Sequence, residues 1–229
     1  MAMTPKQYEA YRKTDYVVFG SPALILRVDE ENPELDAFLV REGKQSAAFI
    51  SGWNPYSEPK SQEENELAHR ALMDDLRKCG YTMIEGEGKG RVGNWLAERS
   101  VLAIGIDRAV SEEVGRRFQQ NAIVFHELGK PTELLALEEM TFSGSLMDGP
   151  DLDLVAFAGL ELTDEESDRL VDETTDRDLL CECESVQEVE KYDVDEMPGM
   201  SDVYYEYCVS FPEGLRGELR TLILERIGR

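Results

Sequence analysis

The segment Ser51-Gly-Trp-Asn-Pro-Tyr-Ser57 concentrates polar chemistry in a short stretch that follows an apolar run. Asn54 both donates and accepts hydrogen bonds, Pro55 stiffens the turn, Ser57 offers a hydroxyl, and Trp53 and Tyr56 can wall a pocket by stacking. Such a segment should emerge from the end of a buried strand, a favoured place for ligands. The competing reading is an Asx-type turn that satisfies its own backbone. Further on, Trp95-Leu-Ala-Glu-Arg-Ser100 places Glu98 and Ser100 two residues apart, hence on one face of an extended chain. Glu98 is the candidate catalytic residue, able to act as an acid or base or to hold a ligand amine or hydroxyl. Its alternative role is an ion pair with an arginine. Gln119-Gln-Asn121 joins a helix to a strand, so the amides of Gln120 and Asn121 either cap the helix or read a polar ligand.

Between these segments lies Gly86-Glu-Gly-Lys-Gly-Arg-Val-Gly-Asn-Trp95, whose glycines permit close backbone approach and whose Lys89 and Arg91 would attract an anion such as phosphate. It lacks the Gly-Lys-Ser/Thr ending of a P-loop, and no helix is expected to follow it, so a flexible hairpin loop is the commoner outcome of such a run. Cys181 and Cys183 face the same way on an expected strand, without a second Cys or His pair at zinc spacing. His69 and His126 are the only histidines and lack a convincing nucleophile motif. Neither a metal nor a cofactor is implied.

Several elements must position these residues. Tyr16–Phe19 and Ala23–Arg27 flank Gly20-Ser-Pro22 as a hairpin, a short helix is expected over 33–42, and Ser46–Trp53 reads as a buried strand running into a polar loop. The clearest helix begins at Ser61, where Ser61 and Glu64 form a capping box, Leu67, Ala68, Ala71, Leu72 and Leu76 recur at helical spacing, and Gly80 supplies the stop. Asn65 sits one turn into that helix. Tyr81–Ile84, Ser100–Ile106, Ala122–Phe125 and Leu134–Leu137 read as strands, and Asp107 caps a helix carrying Val110, Val114 and Phe118 on one face. In the second half, 152–160 reads as a central strand, Thr163 and Glu166 open a helix, 179–189 and 203–211 alternate as strands, and 215–227 forms a helix. The expected fold class is α+β, two small mixed modules with largely antiparallel sheets: a domain over 1–140, a Gly/Ser/Pro linker over 141–150 and an acidic α+β module over 151–229.

Taken as an ordered series, Trp53-Asn-Pro-Tyr-Ser57, Glu64-Asn65, Gly86 to Gly88, Trp95 with Glu98 and Ser100, and Phe118-Gln-Gln-Asn-Ala122 resemble the bacterial domain-of-unknown-function 3293 family over about residues 8–137. Ser51-Gly52 stands where that family would have Thr-Ala before the tryptophan. The resemblance implies a compact bacterial, cytoplasmic domain and brings no activity with it.

Charge supplies the remaining constraint. The chain of 229 residues carries a formal charge of −24, divided as −7 over 1–140 and −17 over the shorter remainder. Direct binding to DNA or RNA is disfavoured by that sign. The longest apolar runs fall far short of a membrane span, and the N-terminus lacks a secretory h-region, so a cytoplasmic protein is expected. Two functions follow as expectations. In the first, Trp53, Asn54, Ser57, Asn65, Ser100, Gln120 and Asn121 surround a polar small-ligand pocket with Glu98, while Lys89 and Arg91 serve a ligand anion. In the second, Asp164, Glu165 and Asp168 present carboxylates to a basic protein partner, imitating a nucleic-acid backbone, although such a surface more commonly only solubilises its helix.

Overall fold

Seven strands pair antiparallel throughout in one sheet, each bringing alternate side chains to opposite faces. They are β1 (Thr14–Val18), β2 (Leu24–Leu26), β3 (Ser46–Ser51), β4 (Thr82–Gly90), β5 (Glu98–Ile104), β6 (Ala122–Glu127) and β7 (Glu133–Ala136), in the spatial order β2-β1-β4-β5-β3-β6-β7. The computed structural model describes residues 3–91, 96–138, 140–145, 152–173, 179, 183, 190–193, 204–209 and 215–229. Its contacts divide the chain into two units, Ala10–Leu137 and the combination of Met1–Glu9 with Glu138–Arg229. The fold is α+β with antiparallel sheets, as the alternation of short strands and single helices predicts.

One face of the larger unit's sheet carries Ala48, Ile50, Val101, Ala103, Ile123, Phe125 and Leu135, buried together with Leu72, Leu76 and Val114. The last three belong to α3 (Gln62–Lys78) and α4 (Arg108–Arg117). Burying each large aliphatic side chain contributes about 1.5–3 kcal/mol, so these two amphipathic helices are fixed by their apolar stripes. Ser61 and Glu64 form the expected capping box at the start of α3. The opposite face holds Tyr16, Val18, Leu26, Phe49, Leu102 and Val124, all buried. The helix α2 (Pro33–Glu42) starts on an Asn32 side-chain cap and ends at a left-handed Gly43. It is tied to this second face through Asp36, which takes His126 Nε2 at 3.0 Å. The sheet curls until chain beyond β2 meets chain ahead of β7, with Asp29 N donating to Thr132 O at 2.8 Å and Thr132 N to Glu30 O at 2.9 Å.

The glycine run differs from the expected loop. Gly86, Gly88 and Gly90 lie inside β4, paired with β1 on one side and, for the first two, with β5 on the other. A Cβ on Gly86 would sit 2.3 Å from Val17 O and 2.8 Å from the Phe49 ring. Phe49 in turn meets Tyr16 edge-on, ring centres 5.5 Å apart. The aromatic rings thus fill the space that the missing side chains leave, and a sequence poor in β-formers is held as a strand.

In the second unit, β8 (Met140–Ser145), β9 (Glu190–Asp193) and β10 (Tyr204–Val209) form an antiparallel sheet in the order β8-β10-β9. The first half of the expected linker is therefore a strand, since Met140-Thr-Phe-Ser alternates apolar and polar residues and pairs with β10; residues 146–150 lie outside the described residues. The expected strand over 152–160 is instead helix α5 (Leu152–Phe157), followed by a turn with Gly159 at φ +71°. A short apolar run does not distinguish a buried strand from a buried helix. Here Arg216 Nε donates to Phe157 O at 2.7 Å and Arg220 Nη1 to Gly159 O at 2.7 Å, satisfying the carbonyls at the helix end. α6 (Asp164–Glu173) begins with the expected Thr163–Glu166 exchange, and α7 (Leu215–Ile227) buries Leu215, Leu219, Ile223 and Ile227. Most of the expected strand over 179–189, Cys181 included, lies outside the described residues. Cys183 is buried, its thiol directed to Leu179 O at 3.3 Å. Among the described residues, no helix is long and apolar enough to cross a membrane.

Candidate functional site

The loop after β3 is pressed against α3: a Cβ on Gly52 would lie 2.9 Å from Ala68 O. Only glycine fits so close an approach without displacing backbone. Ser51 holds the strand end, its hydroxyl donating to Arg99 O at 2.9 Å and receiving Trp53 N at 3.0 Å. The chain then passes through a 3-10 turn, Pro55–Ser57, and Asn54 just before it and Tyr56 and Ser57 within it all have positive φ, at 45°, 53° and 59°. Gln119, at φ 55°, lies on the facing loop, and Tyr56 N donates to its carbonyl at 2.6 Å. Left-handed non-glycine residues cost on the order of 1–3 kcal/mol each and persist where surrounding contacts over-determine them.

Those contacts come from the residues that the sequence singled out. Asn65, buried one turn into α3, accepts from Asn54 N at 2.9 Å through Oδ1 and donates back to Asn54 Oδ1 at 3.0 Å through Nδ2. Lys60 N also donates to Asn54 Oδ1, at 3.0 Å. Asn54 Nδ2 is left to donate to Glu98 Oε1 at 2.6 Å. Across the cluster, Asn121 Nδ2 donates to Ser57 Oγ at 3.0 Å, and Gln120 Nε2 donates to Trp53 O at 3.0 Å. Ser57 Oγ is also hydrogen-bonded to Tyr11 Oη. Glu98 and Ser100 share the β5 face opposite Gly88 and Gly86, and the Tyr16 and Phe49 rings pack beside these two glycines.

Asn54, Ser57, Asn65, Glu98 and Asn121 therefore converge, and Tyr11 joins them although no motif marked it. Its ring comes from α1 (Pro5–Arg12), and its partner Ser57 is 46 residues away, a separation that local pattern does not cover. Burial raises the Tyr11 phenol pKa; its hydrogen bonds to Ser57 and Asn121 pull the other way, and the nearby Glu98 charge adds to the rise. Below it, Tyr16 Oη donates to Tyr11 O at 2.8 Å, and burial pushes that phenol far up as well.

Other expected site residues are placed differently. Ser100 is buried and its hydroxyl turns back to Glu98 O at 3.2 Å. Lys89 alternates with Gly88 along β4 and projects from the face opposite Glu98. Arg91 Nε donates to Lys13 O at 3.2 Å, and the same atom lies 3.6 Å from Asp15. Trp53 buries its indole Nε1 without a partner, while Trp95 lies outside the described residues. In the second unit, Asp164, Glu165 and Asp168 are exposed at the start of α6, whereas Glu166 is engaged by Thr163 and Arg229.

The two histidines are both buried and opposite in character. His126 is fully partnered, by Asp36 and by Thr132 Oγ1 at 3.1 Å, but Thr132 is itself inaccessible, so this Asp-His-Thr chain ties the sheet edge to α2. His69, on the same face of α3 as Asn65, leaves both ring nitrogens without partners. No group of three or more His, Cys, Asp or Glu among the described residues could hold a metal ion.

The family model described as "Protein of unknown function (DUF3293)" matches residues 50–123, as the motif series implies. The matched stretch runs from the end of β3 to the start of β6 and includes every member of the cluster except Tyr11. No curated protein and no solved structure matches the chain.

Proposed function

We propose that the Ala10–Leu137 unit, with its DUF3293 match over 50–123, is a binding domain for a small polar molecule held at the Asn54–Glu98–Tyr11–Ser57–Asn121 cluster. The observation that carries this reading is the concentration of cost at one place. Residues 54, 56, 57 and 119 all adopt left-handed backbone, and Asn121 Oδ1 is buried there without a partner. A fold under selection for stability alone would replace such a cluster by apolar packing, because an unmade buried hydrogen bond costs about 1–3 kcal/mol. Asn54, Asn65 and Gln120 orient the loops. Ser57, Asn121 and Tyr11 present polar atoms, and Glu98 does the acid/base or charge-binding work.

A thermal-shift screen of the full chain against amines, nucleotides, phosphorylated metabolites and divalent cations tests this. A ligand at 100 times its dissociation constant adds about 2.7 kcal/mol to stability. The shift should disappear in Asn54→Ala and Glu98→Ala while both variants remain folded. Equal shifts in wild type and in both variants would sink the reading.

The second reading is an acidic interaction surface at Asp164, Glu165 and Asp168, favoured by their exposure beside an engaged Glu166. A partner held there should be released by about 0.5 M salt and by charge reversal at the three positions. Undiminished binding to the charge-reversed chain would count against it.

A further inference from the structure

Most donor groups around the cluster already make a hydrogen bond within the protein, the Trp53 indole N–H being an exception. Trp53 N, Asn54 N and Nδ2, Tyr56 N, Ser57 N, Lys60 N, Gln120 Nε2 and Asn121 Nδ2 each already donate to a protein oxygen. Neither cation expected to receive an anion joins them, since Lys89 projects from the other sheet face and Arg91 lies against Asp15 and the Lys13 carbonyl. The donors with a proton to spare are neutral, namely the Tyr11–Ser57 hydroxyl pair, the second amide protons of Asn54 and Asn121 and the Trp53 indole N–H, so an entering phosphate would meet the Glu98 carboxylate without either expected cation to offset it.

The acceptors tell the opposite story. Asn121, 3% exposed, uses Nδ2 on Ser57 and leaves Oδ1 without a partner. Ser57 Oγ and Tyr11 Oη retain lone pairs, and Glu98 supplies a carboxylate close enough to act on the Tyr11 phenol. A primary ammonium has three donors and no acceptor, which suits a cluster that offers a carboxylate, an amide carbonyl and hydroxyl oxygens. The formal charge of −24 also draws cations toward the protein and holds anions off.

Resting on the binding reading above, we propose that the ligand of this cluster is a small aliphatic amine, its ammonium group received by Glu98, Asn121 Oδ1 and the Tyr11–Ser57 hydroxyl pair. Catalysis is no part of this assignment.

The test is calorimetric titration of the full chain with putrescine, with 1,4-butanediol as the uncharged isostere and inorganic phosphate as the anion, all at one ionic strength. The expected result is saturable binding of putrescine alone, weakened about tenfold or more in Glu98→Gln, the size of loss expected for a charged hydrogen bond. Asn121→Ala should weaken it too and serves if the Glu98 variant does not fold. The double variant Asp164→Asn, Asp168→Asn should bind as wild type does. Equal putrescine binding by wild type, Glu98→Gln and Asn121→Ala would overturn the assignment, because it would mark cations condensing on an acidic surface. Binding of phosphate or of the diol that depends on Asn121 would overturn the ligand class and leave the binding site standing. Absence of putrescine binding overturns the class as well, and the binding reading itself then fails only if no compound of the wider screen is sensitive to Asn54→Ala.

Discussion

His69 shows what one residue's environment implies for pH. Its side chain is 1% exposed and both ring nitrogens lack partners. Burial lowers its pKa, the nearby Arg99 guanidinium lowers it further, and Glu85 and Glu66 only partly oppose them. With a folded pKa below the unfolded value, near 6.5, the unfolded chain binds the extra proton in between. Stability should therefore fall as pH drops below about 6.5. Because carboxylates titrate nearby in pH, the effect is read as a difference: denaturant midpoints of wild type and His69→Leu should diverge as pH falls from about 7 to 5. The leucine variant should be the more stable by about 1 kcal/mol even near pH 7, since it removes two unsatisfied polar atoms. A constant gap between the two curves would show that His69 keeps its ordinary pKa. Tyr11→Phe tests the neighbouring hydroxyl pair. It keeps the ring and removes one partner of Ser57, so it should cost about 1 kcal/mol while abolishing ligand binding at the cluster.

At the scale of elements, β4 sets two glycines against each other. Alanine normally strengthens a strand relative to glycine by about 0.5–1 kcal/mol. Gly88→Ala should do so, because the added Cβ meets nothing closer than 3.8 Å. Gly86→Ala must instead displace Val17 backbone or the Phe49 ring and should cost several kcal/mol, about the upper range for overpacking. Urea unfolding of both variants checks the contrast, and equal midpoints would show that the rings do not hold the strand. This position also explains what the sequence concealed. Intrinsic preference reads Gly86-Glu-Gly-Lys-Gly as a loop, and pairing with β1 and β5 under the Tyr16 and Phe49 rings, of which β1 and both rings are distant in sequence, makes it a strand. Where the determinants are local, the elements are legible: the α3 capping box, the hairpin of β1 and β2, and α2 between Asn32 and Gly43 all lie where the residues place them. The same division runs through the site. Asn54, Ser57, Asn65, Glu98 and Asn121 could be picked out by type, because their polarity stands beside buried strands. Tyr11 could not, since an aromatic on a short helix looks like packing until Ser57 is brought to it. Lys89 carries a charge that suits an anion, but strand alternation sends it to the other face.

For the whole molecule, the governing quantity is an excess of 24 negative charges. The surface pairs that oppose it, such as Arg99 with Glu66 at 2.7 Å and Glu85 at 2.9 Å, are partly exposed and contribute at most about 1 kcal/mol each. Salt weakens such pairs, but it also screens the repulsion among carboxylates that lack a cation. With twice as many acidic as basic side chains, repulsive neighbours outnumber attractive ones. The screening length shrinks from roughly 30 Å at 0.01 M salt to below 10 Å above 0.1 M, so most of the gain should come early in a titration. Sodium chloride raised over that range should increase the melting temperature by several degrees, with 1 kcal/mol corresponding to about 2–4 °C in a chain of this size. Neutralising exposed acids outside the cluster, as in Asp164→Asn with Asp168→Asn, should reduce the salt response and leave amine binding unchanged. A melting temperature that falls with added salt would mean that the ion pairs outweigh the repulsion. The charge excess would then belong to the unfolded chain's solubility and not to the energetics of the folded one.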